Sequence, residues 1–325
     1  MNNAAFTLVM LPPHTDTRRA WAAHVAAEPI GVRVLQPETT QEAMRDIAEA
    51  EAAFGVIPPE VLRAARRLRW LQAPQAAPPA GFYYPELVAH PVVVTNFREI
   101  FNDHIGAHIM AFVLAFARDF HTYLPQQVRR QYQAKPLDTG VVHLPEATAL
   151  IIGVGGIGGE AARLCKAFGM RVIGVDARRS DIPEGVDDLH GADQLDTLLP
   201  QADFVIMTIP HTPATEGLMD RVRLHRMKPT AFLINIGRGM TVRLDDLVAA
   251  LHAGEIAGAG LDVFEIEPLP AGHPLWTAPN VLITPHTAGY GPYLDDRRLD
   301  ILLDNCRRFA AGEPLRNVVD KASWF

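Results

Sequence analysis

Short apolar runs alternate with helix-like patterns through the first part of the chain. The runs predict strands at Phe6–Met10, Val32–Leu35, Ala53–Val56, Trp70–Leu71 and Val92–Thr95. Apolar residues at helical spacing predict helices between them, at Thr17–Ala27, Gln41–Ala50, Glu60–Leu68 and Pro85–Ala89. This alternation is typical of parallel strands covered by helices. Residues 1–98 are therefore predicted to form a small parallel α/β domain.

The most apolar stretch of the chain follows. Between Asp103, a suitable N-cap, and Phe120, apolar residues recur at helical spacing: Ile105, Ile109, Phe112, Val113 and Phe116. Met110 and Leu114 widen the apolar surface beyond a single stripe. Such a helix must be covered by the protein core, by a second subunit, or by both. The segment 105–117 is too short to span a bilayer, so no membrane partner is expected.

Two histidines on this helix, His104 and His108, have the i, i+4 spacing of metal ligands. The residues between them are Ile-Gly-Ala, without the glutamate of the H-E-x-x-H zinc motif. Packing or solvent contact is the better interpretation of both side chains, and no metal site is predicted.

Residues 149–286 repeat the alternation of strands and helices. Strands are predicted at Ala149–Ile152, Arg171–Val175, Phe204–Ile209, Ala231–Ile236, Gly260–Val263 and Val281–Thr284. Helices are predicted near Gln194–Leu199, Thr215–Leu218, Arg221–Met227 and Leu244–Ala253. This arrangement fits a doubly wound sheet, whose ligand lies at the carboxyl ends of the strands. The amphipathic tail helix, Asp295–Ala311, is expected to pack back on the first domain and close the molecule around a cleft.

A glycine-rich turn separates the first of these strands from the next helical pattern. Gly153, Gly155 and Gly158 form G-x-G-x-x-G, with Gly156 and Ile157 inside it. Glycines at these positions allow a tight turn, close approach of a pyrophosphate, and close packing of helix on strand. The helix N-terminus adds N–H groups and a positive dipole end. The turn therefore predicts a dinucleotide site.

The following strand ends in an acid, Asp176, at the place where a carboxylate binds the adenosine ribose hydroxyls. This carboxylate would repel a 2′-phosphate, which favours NAD over NADP. Arg178 and Arg179 follow at once and would bind that phosphate if the loop turned Asp176 away. NAD is the predicted cofactor, with NADP as the alternative.

Composition and charge narrow the range of partners. The 325 residues are 48% hydrophobic and 21% charged, which suits two domains with large cores. The net charge is −7 and no long run of Lys or Arg occurs, so nucleic acid is not an expected partner. Cys165 and Cys306 are far apart in the sequence and are interpreted as reduced, structural residues of a cytoplasmic protein.

Three charged or titratable residues each follow a predicted strand, on the ligand side of such a sheet: Arg238, Glu267 and His286. Histidine is suited to donate a proton near neutral pH when hydride is transferred to a carbonyl. A carboxylate beside it would favour the imidazolium and orient the ring. A guanidinium can hold a substrate carboxylate and polarise the carbonyl. Each residue alone could be an ordinary surface group, but together beside a dinucleotide motif they indicate a catalytic site.

Five longer runs make the sequence similar to a known family. They are Gly153-Val-Gly-Gly-Ile-Gly158, Pro210-His-Thr-Pro-Ala-Thr-Glu-Gly-Leu218, Asn235-Ile-Gly-Arg-Gly239, Gly260-Leu-Asp-Val-Phe-Glu-Ile-Glu-Pro-Leu269 and Thr284-Pro-His-Thr-Ala-Gly289. The chain resembles the D-isomer-specific 2-hydroxyacid dehydrogenases over nearly its whole length. Glutamate rather than glutamine at position 267 speaks against the formate dehydrogenase branch.

The resemblance implies two Rossmann-like domains with a cleft between them. A cofactor domain, residues 99–287, would be inserted into a substrate-binding domain formed by 1–98 and 288–325. Arg238, Glu267 and His286 would be the catalytic residues, and the helix at 103–120 would contribute to a homodimer. Asp262 would lie near the nicotinamide carboxamide. The predicted cofactor-binding set is Gly153, Gly155, Gly156, Ile157, Gly158, Asp176, Pro210, Gly237 and Asp262.

One loop departs from the family pattern. Members usually carry a Gly-Ala-Gly-Val-Asp-like loop whose N–H groups bind the substrate carboxylate, but residues 73–81 here contain Pro74, Pro78 and Pro79. Proline has no N–H and fixes its own φ. Either Gln75, Ala76 and Ala77 supply the remaining donors, or the substrate is not the usual small 2-oxo acid. Gln75 and Ala76, with Arg238 and His286, form the predicted substrate-binding set.

The predicted function is NAD-dependent interconversion of a 2-hydroxy acid and a 2-oxo acid, working as a 2-oxoacid reductase. Glyoxylate, hydroxypyruvate or larger 2-oxo acids are the expected substrates, and His286 would give its proton to the carbonyl oxygen. Two alternatives remain at this point: an NAD-binding sensor related to the family's co-repressors, and a methyltransferase with a glycine-rich nucleotide loop.

Overall fold

The computed structural model of the chain describes residues 6–76, 81–136 and 140–322. It divides into two compact units, Met1–Ile100 with Pro292–Phe325, and Phe101–Gly291. Among the described residues, each unit contains one sheet, of five and seven strands respectively, and these strands all pair in parallel. The predicted fold class, two doubly wound α/β sheets, is confirmed.

The strands are β1 Phe6–Met10, β2 Val32–Leu35, β3 Ala52–Phe54, β4 Trp70–Gln72, β5 Val93–Thr95, β6 Thr148–Ile152, β7 Arg171–Val175, β8 Asp188–His190, β9 Phe204–Met207, β10 Phe232–Asn235, β11 Gly258–Leu261 and β12 Val281–Ile283. The α-helices are α1 Asp16–Ala27, α2 Thr40–Asp46, α3 Pro59–Ala64, α4 Pro85–Ala89, α5 Asn102–Ala117, α6 Phe120–Val128, α7 Gly156–Ala167, α8 Leu195–Leu198, α9 Arg221–Arg226, α10 Leu244–Ala253 and α11 Leu294–Ala311. No helix in these described ranges combines the length and the apolarity needed to cross a bilayer.

The five-stranded sheet has the order β2-β1-β3-β4-β5. A buried polar network ties its strands to the tail helix α11. Trp70 Nε1 donates to Thr95 Oγ1 at 2.8 Å, Thr95 Oγ1 donates to Gln72 Oε1 at 2.7 Å, and Asn305 Nδ2 donates to the same Gln72 oxygen at 3.2 Å. Because unpaired buried polar groups are costly, this network fixes the end of β4, where the proline-containing loop begins.

The seven-stranded sheet has the order β12-β11-β10-β9-β6-β7-β8. Strands run outward in both directions from the neighbouring pair β6 and β9, which makes the junction between them the switch point of a doubly wound sheet. Along β6, Leu150 and Ile152 enter one apolar core while Ala149 and Ile151 enter the core on the opposite face. A strand buried on both faces is apolar throughout, which is why its sequence is readily identified.

The edge strand β8 of the seven-stranded sheet was not among the six strands that the apolar pattern predicted for this unit. It pairs in parallel with β7 at the edge of the sheet, and its residues are only partly buried. Its sequence, Asp-Leu-His, contains a single apolar residue. An edge strand of this length has no apolar run or alternation by which it could be recognised.

The helix predicted to reach Phe120 ends at Ala117 instead, and a second helix, α6, begins at Phe120. Asp119 between them has left-handed backbone angles, φ 60° and ψ 22°. Aspartate is among the few residues that tolerate this conformation. Its buried carboxylate pairs with Lys135 Nζ at 2.7 Å. Apolar spacing carries no information about such a break, so one helix was predicted where there are two.

The predicted helix at Thr215–Leu218 is wrong. Residues 213–217 form turns, and Thr215 Oγ1 donates to the carbonyl of Pro210 at 2.7 Å and accepts from the N–H of Thr212 at 2.8 Å. Gly217 then has a positive φ of 58°. A threonine side chain that bonds nearby backbone groups competes with helix formation.

Candidate active site

The glycine turn joins β6 to α7 in the way that a dinucleotide site requires. Gly153 has φ 90°, a conformation that suits only glycine at low cost. A Cβ on Gly158 would lie 1.9 Å from the carbonyl oxygen of Gly153, so the helix can approach the strand this closely only without a side chain. Helix α7 begins after Gly155 with no side-chain cap. Its first N–H groups can therefore bind an anionic pyrophosphate.

Asp176, directly after β7, lies against this turn. Its Oδ2 accepts the N–H of Val154 at 3.0 Å, and its Oδ1 accepts the N–H groups of Arg178 and Arg179 at 2.9 and 3.0 Å. Burial alone would raise the pKa of Asp176, but these backbone donors and the charge of Arg179 outweigh burial and lower that pKa below its usual value. The carboxylate is held, ionised, at the end of β7.

Arg179 is already engaged by groups of its own loop. Its Nη1 donates to the carbonyl of Val154 at 2.8 Å, and its Nε and Nη2 donate to Asp181 Oδ2 at 3.1 and 2.8 Å. The pair with Asp181 raises the pKa of Arg179. Arg178 is exposed. The loop does not turn Asp176 away from the glycine turn.

The turns after four neighbouring strands carry the other predicted residues. Pro210 follows β9, Gly237 follows β10, Asp262 follows β11 and His286 follows β12. A Cβ on Gly237 would lie 2.5 Å from the carbonyl oxygen of Ile209, so the turns after β9 and β10 touch through their backbones. The structure thus brings these predicted residues to the carboxyl edge of one sheet, beside the glycine turn.

Arg238 is placed by two residues that the sequence interpretation did not single out. Its carbonyl accepts from the buried Asn235 Nδ2 at 3.1 Å and from Thr241 Oγ1 at 2.6 Å. The residue is exposed, but the surrounding protein desolvates the guanidinium and lowers the pKa of Arg238, an effect that the charge of Glu267 opposes. An arginine remains charged under such conditions, so a cation faces Glu267 at this edge.

His286 and Glu267 form a direct pair, with His286 Nδ1 2.7 Å from Glu267 Oε2. The other oxygen, Glu267 Oε1, accepts the N–H of Phe264 at 3.0 Å, which fixes the carboxylate. Because an ionised carboxylate can only accept, Nδ1 of the imidazole carries the hydrogen of this bond. Nε2 is then the ring nitrogen that can hold and release a second proton. The ring is half-exposed, so a small molecule can reach it.

Asp262 is buried and anchors the turn that carries His286. Its Oδ1 accepts from Thr284 Oγ1 at 2.6 Å and from the N–H of Thr287 at 2.8 Å, and its Oδ2 accepts the N–H of Ala288 at 3.0 Å. Its carbonyl accepts the N–H of His286, whose φ is 54°. The predicted position of Asp262 near the nicotinamide carboxamide stays a prediction.

The i, i+4 histidine pair on α5 is not arranged as a metal centre. His108 Nε2 lies 2.9 Å from Thr284 Oγ1 and its ring packs edge-on against Phe112. His104 lies close to Gly291. Within the ranges that the structure describes, no cluster of three or more His, Cys, Asp or Glu side chains could hold a metal ion.

The predicted substrate-loop residues lie in the other unit. Pro74 is buried, Gln75 is exposed, and the carbonyl of Ala76 accepts from Asn96 Nδ2 at 3.0 Å. Ala77, Pro78 and Pro79 lie outside the described residues. The assignment of this loop to the substrate stays a prediction.

Three features define the class of dinucleotide-binding α/β proteins: a doubly wound sheet, a glycine turn that leads into a helix without a side-chain cap, and an acid held at the end of the next strand. The family profile "D-isomer specific 2-hydroxyacid dehydrogenase, NAD binding domain" matches residues 110–288. A glyoxylate reductase of Thermofilum pendens is 31% identical over 296 residues, which are 88% of this chain and 86% of that protein. A glyoxylate/hydroxypyruvate reductase A of Serratia proteamaculans is 35% identical over 213 residues, 66% of each protein.

A solved structure gives the same result over almost the whole chain. The D-isomer specific 2-hydroxyacid dehydrogenase of Xanthobacter autotrophicus Py2, solved with NADPH and MES, superposes with a TM-score of 0.80 at 29% identity and covers 98% of this chain and 100% of that one. The protein belongs to the D-isomer specific 2-hydroxyacid dehydrogenase family, as its sequence predicted. It is an oxidoreductase of that family with an NAD(P)-binding domain.

The close approach at Gly158 gives a direct test of the glycine turn. We expect Gly158→Ala to lower the free energy of unfolding by about 2 kcal/mol or more and to weaken NADH binding about tenfold or more, because the new methyl would overlap the Gly153 carbonyl. The measurements are urea unfolding and NADH fluorescence titration.

Gly159→Ala is the matched control. No described atom lies within 4 Å of a Cβ at Gly159, and alanine is favoured over glycine inside a helix. The control variant should therefore bind NADH normally. Equal behaviour of the two variants would contradict the proposed role of the Gly158 contact.

Proposed function

We propose that this protein is an NAD-dependent 2-oxoacid reductase in which His286 gives a proton to the carbonyl oxygen of the substrate. The observation that carries the proposal is the 2.7 Å pair of His286 Nδ1 with Glu267 Oε2, at the same sheet edge as the glycine turn. A histidine oriented by a carboxylate is suited to general acid catalysis near neutral pH. Two similar proteins, from Thermofilum pendens and Serratia proteamaculans, are named as reductases of glyoxylate, or of glyoxylate and hydroxypyruvate.

Each residue of the predicted trio has a separate task. Glu267 accepts the hydrogen on Nδ1 and fixes the ring, so Nε2 is the nitrogen from which a proton can be donated. The Arg238 cation can bind the substrate carboxylate and stabilise negative charge that develops on the carbonyl oxygen. A nicotinamide bound beside these residues would supply the hydride. Glyoxylate and hydroxypyruvate are the substrates that we propose to test first.

Asp176 supports NAD as the preferred cofactor. Three backbone N–H groups hold its carboxylate at the end of β7, where the adenosine ribose would bind. A 2′-phosphate at that place would face a fixed negative charge. The guanidinium of Arg179 is bonded to Asp181 and to the Val154 carbonyl. The Xanthobacter autotrophicus relative was solved with NADPH, so the preference must be measured for this chain.

A cytoplasmic location is also part of the proposal. Cys165 and Cys306 are free and buried, and burial raises the pKa of each thiol to about 12. Thiols of this kind are compatible with a reducing compartment.

The proton-donor role predicts a large loss of activity in His286→Asn. With glyoxylate or hydroxypyruvate and NADH, followed by the fall in nicotinamide absorbance, we expect kcat/KM to drop about a hundredfold or more. The dissociation constant of NADH should stay within about twofold, because His286 is not part of the glycine turn. His225→Asn, at an exposed position on α9, is the matched control.

The result can contradict the proposal in two ways. Activity close to wild type in His286→Asn would remove the proton-donor role. Tight NADH binding by the wild-type protein without turnover of any 2-oxo acid would favour an NAD-binding sensor instead.

The cofactor preference predicts that the wild-type protein binds NADH at least about tenfold more tightly than NADPH. Asp176→Ala should weaken NADH binding and reduce this ratio, because a charge-assisted bond and a repulsive charge are both lost. Asp181→Ala is the control: NADH binding should be retained, while the released Arg179 should improve NADPH binding. Equal wild-type affinities in fluorescence titrations would contradict the preference.

We further propose that the protein is a homodimer that uses the open face of α6. Three apolar side chains at every fourth position of this helix are at least 50% exposed: Phe120, Leu124 and Val128. Tyr132, a few residues beyond the end of the helix, is also exposed. Exposed apolar patches on a soluble domain indicate an interaction surface. Helix α5 contributes less open apolar surface, because most of its apolar side chains are buried in the core of its own unit.

Light scattering tests the dimer. The wild-type protein should have twice the 35.7 kDa mass of one chain, and Leu124→Glu combined with Val128→Glu should shift it toward the monomer. Val222→Glu, at an exposed apolar position on α9, should leave the mass unchanged. A monomeric wild-type protein at micromolar concentration would contradict the proposal.

A further inference from the structure

His108 is a partly buried titratable side chain that the proposed chemistry does not use. It lies in the middle of α5, its side chain is 22% exposed, and its ring centroid is 5.0 Å from that of Phe112. Its Nε2 lies 2.9 Å from Thr284 Oγ1, on a part of the chain distant in sequence. A phenylalanine would fill the same space, so packing alone does not account for a histidine here.

The direction of the hydrogen bonds follows from the atoms present. Thr284 Oγ1 is 2.6 Å from Asp262 Oδ1, and a carboxylate can only accept. The single hydroxyl hydrogen of Thr284 is therefore donated to Asp262, and Thr284 Oγ1 must accept from His108. The chain of bonds runs from His108 Nε2–H to Thr284 and on to Asp262. Burial lowers the pKa of His108, against the opposing charge of Asp262, so the neutral ring with hydrogen on Nε2 is favoured.

The far end of this chain of bonds is the turn that carries His286. Asp262 accepts three consecutive N–H groups of that turn: those of Thr287 and Ala288 through its carboxylate, and that of His286 through its carbonyl. His286 has a left-handed backbone conformation, which a non-glycine residue keeps only when its surroundings enforce it. Asp262 is the residue that makes all three of these bonds.

We propose that His108 is a positioning residue that acts through Thr284 and Asp262 to hold His286 in place for proton transfer. The inference rests on the proposed role of His286 as proton donor. His108 itself touches neither substrate nor cofactor in this proposal. Its hydrogen bond orients the Thr284 hydroxyl, the oriented hydroxyl fixes the Asp262 carboxylate, and the carboxylate fixes the turn.

Two matched pairs of variants separate the hydrogen bond from packing. His108→Phe keeps a ring beside Phe112 but removes the N–H, whereas His108→Gln keeps an N–H donor. Thr284→Val keeps the volume but removes the hydroxyl, whereas Thr284→Ser keeps the hydroxyl. We expect kcat to fall about tenfold in His108→Phe and Thr284→Val, which is the effect of one hydrogen bond, with the KM of the 2-oxo acid and the NADH dissociation constant within about twofold of wild type.

The conservative variants and the double variant complete the test. His108→Gln and Thr284→Ser should recover most of the lost kcat. Because both residues act along one chain of bonds, the double variant His108→Phe/Thr284→Val should be no slower than the slower single variant. Wild-type kcat in His108→Phe, failure of His108→Gln to recover activity, or multiplication of the two single effects would each overturn the proposal.

Amide hydrogen exchange distinguishes this inference from the proposed function. The amides of Thr287 and Ala288 should exchange about tenfold faster in His108→Phe and Thr284→Val than in wild type, and normally in His108→Gln and Thr284→Ser. If the wild-type protein binds NADH but shows no turnover, the proton-donor role fails, and the same exchange pattern would still establish that His108 holds the turn. Unchanged amide exchange in His108→Phe would show that the hydrogen bonds from His108 through Thr284 to Asp262 do not hold the turn.

Discussion

Direct backbone contacts between neighbouring turns are the constraint on which the cofactor unit depends. The Cβ that each of three glycines lacks would lie 1.9 to 2.5 Å from a carbonyl oxygen: Gly158 from Gly153, Gly237 from Ile209, and Gly239 from Phe264. The contacts of Gly237 and Gly239 join the turns that follow β9, β10 and β11, and the contact of Gly158 holds α7 against the turn that follows β6. Because interiors are closely packed, a single methyl at any of these glycines would push apart the two backbone segments that are in contact. The distances between the backbone segments of the candidate site therefore depend on these positions having no side chain.

Three carboxylates hold this edge together in a second way. Asp176 accepts the N–H of Val154 in the glycine turn, Asp262 accepts two N–H groups of the turn bearing His286, and Glu267 accepts the N–H of Phe264. Each acid predicted for chemistry or cofactor binding is thus also a structural anchor. Replacing one of them changes both the charge at the site and the geometry of a turn. A variant of a side-chain partner, such as Thr284 beside Asp262, separates these two effects better than variants of the acids themselves.

The sequence predicted the sheets well because parallel strands buried on both faces are continuous apolar runs. It failed where the determining interaction is a tertiary one. Asp119 breaks the long helix through a left-handed conformation stabilised by Lys135, and β8 is a strand only because β7 lies beside it. The neighbouring positions of Glu267 and His286 were predictable, because both follow adjacent strands. The contact of His108 with Thr284 was not, because 176 positions separate the two residues.

Buried polar residues are concentrated at the carboxyl ends of strands in both units. Gln72 and Thr95 end β4 and β5, Asn235 ends β10, and Asp262 directly follows β11; all four are fully or almost fully buried. Each has its polar atoms engaged in hydrogen bonds to a neighbouring turn, strand or helix. A strand end without such a side chain would leave the following turn held only by its own backbone. Polar residues at this edge fix the turns without exposing the core. His108 acts in the same way from α5, a helix that covers the sheet, because its ring forms a hydrogen bond with Thr284.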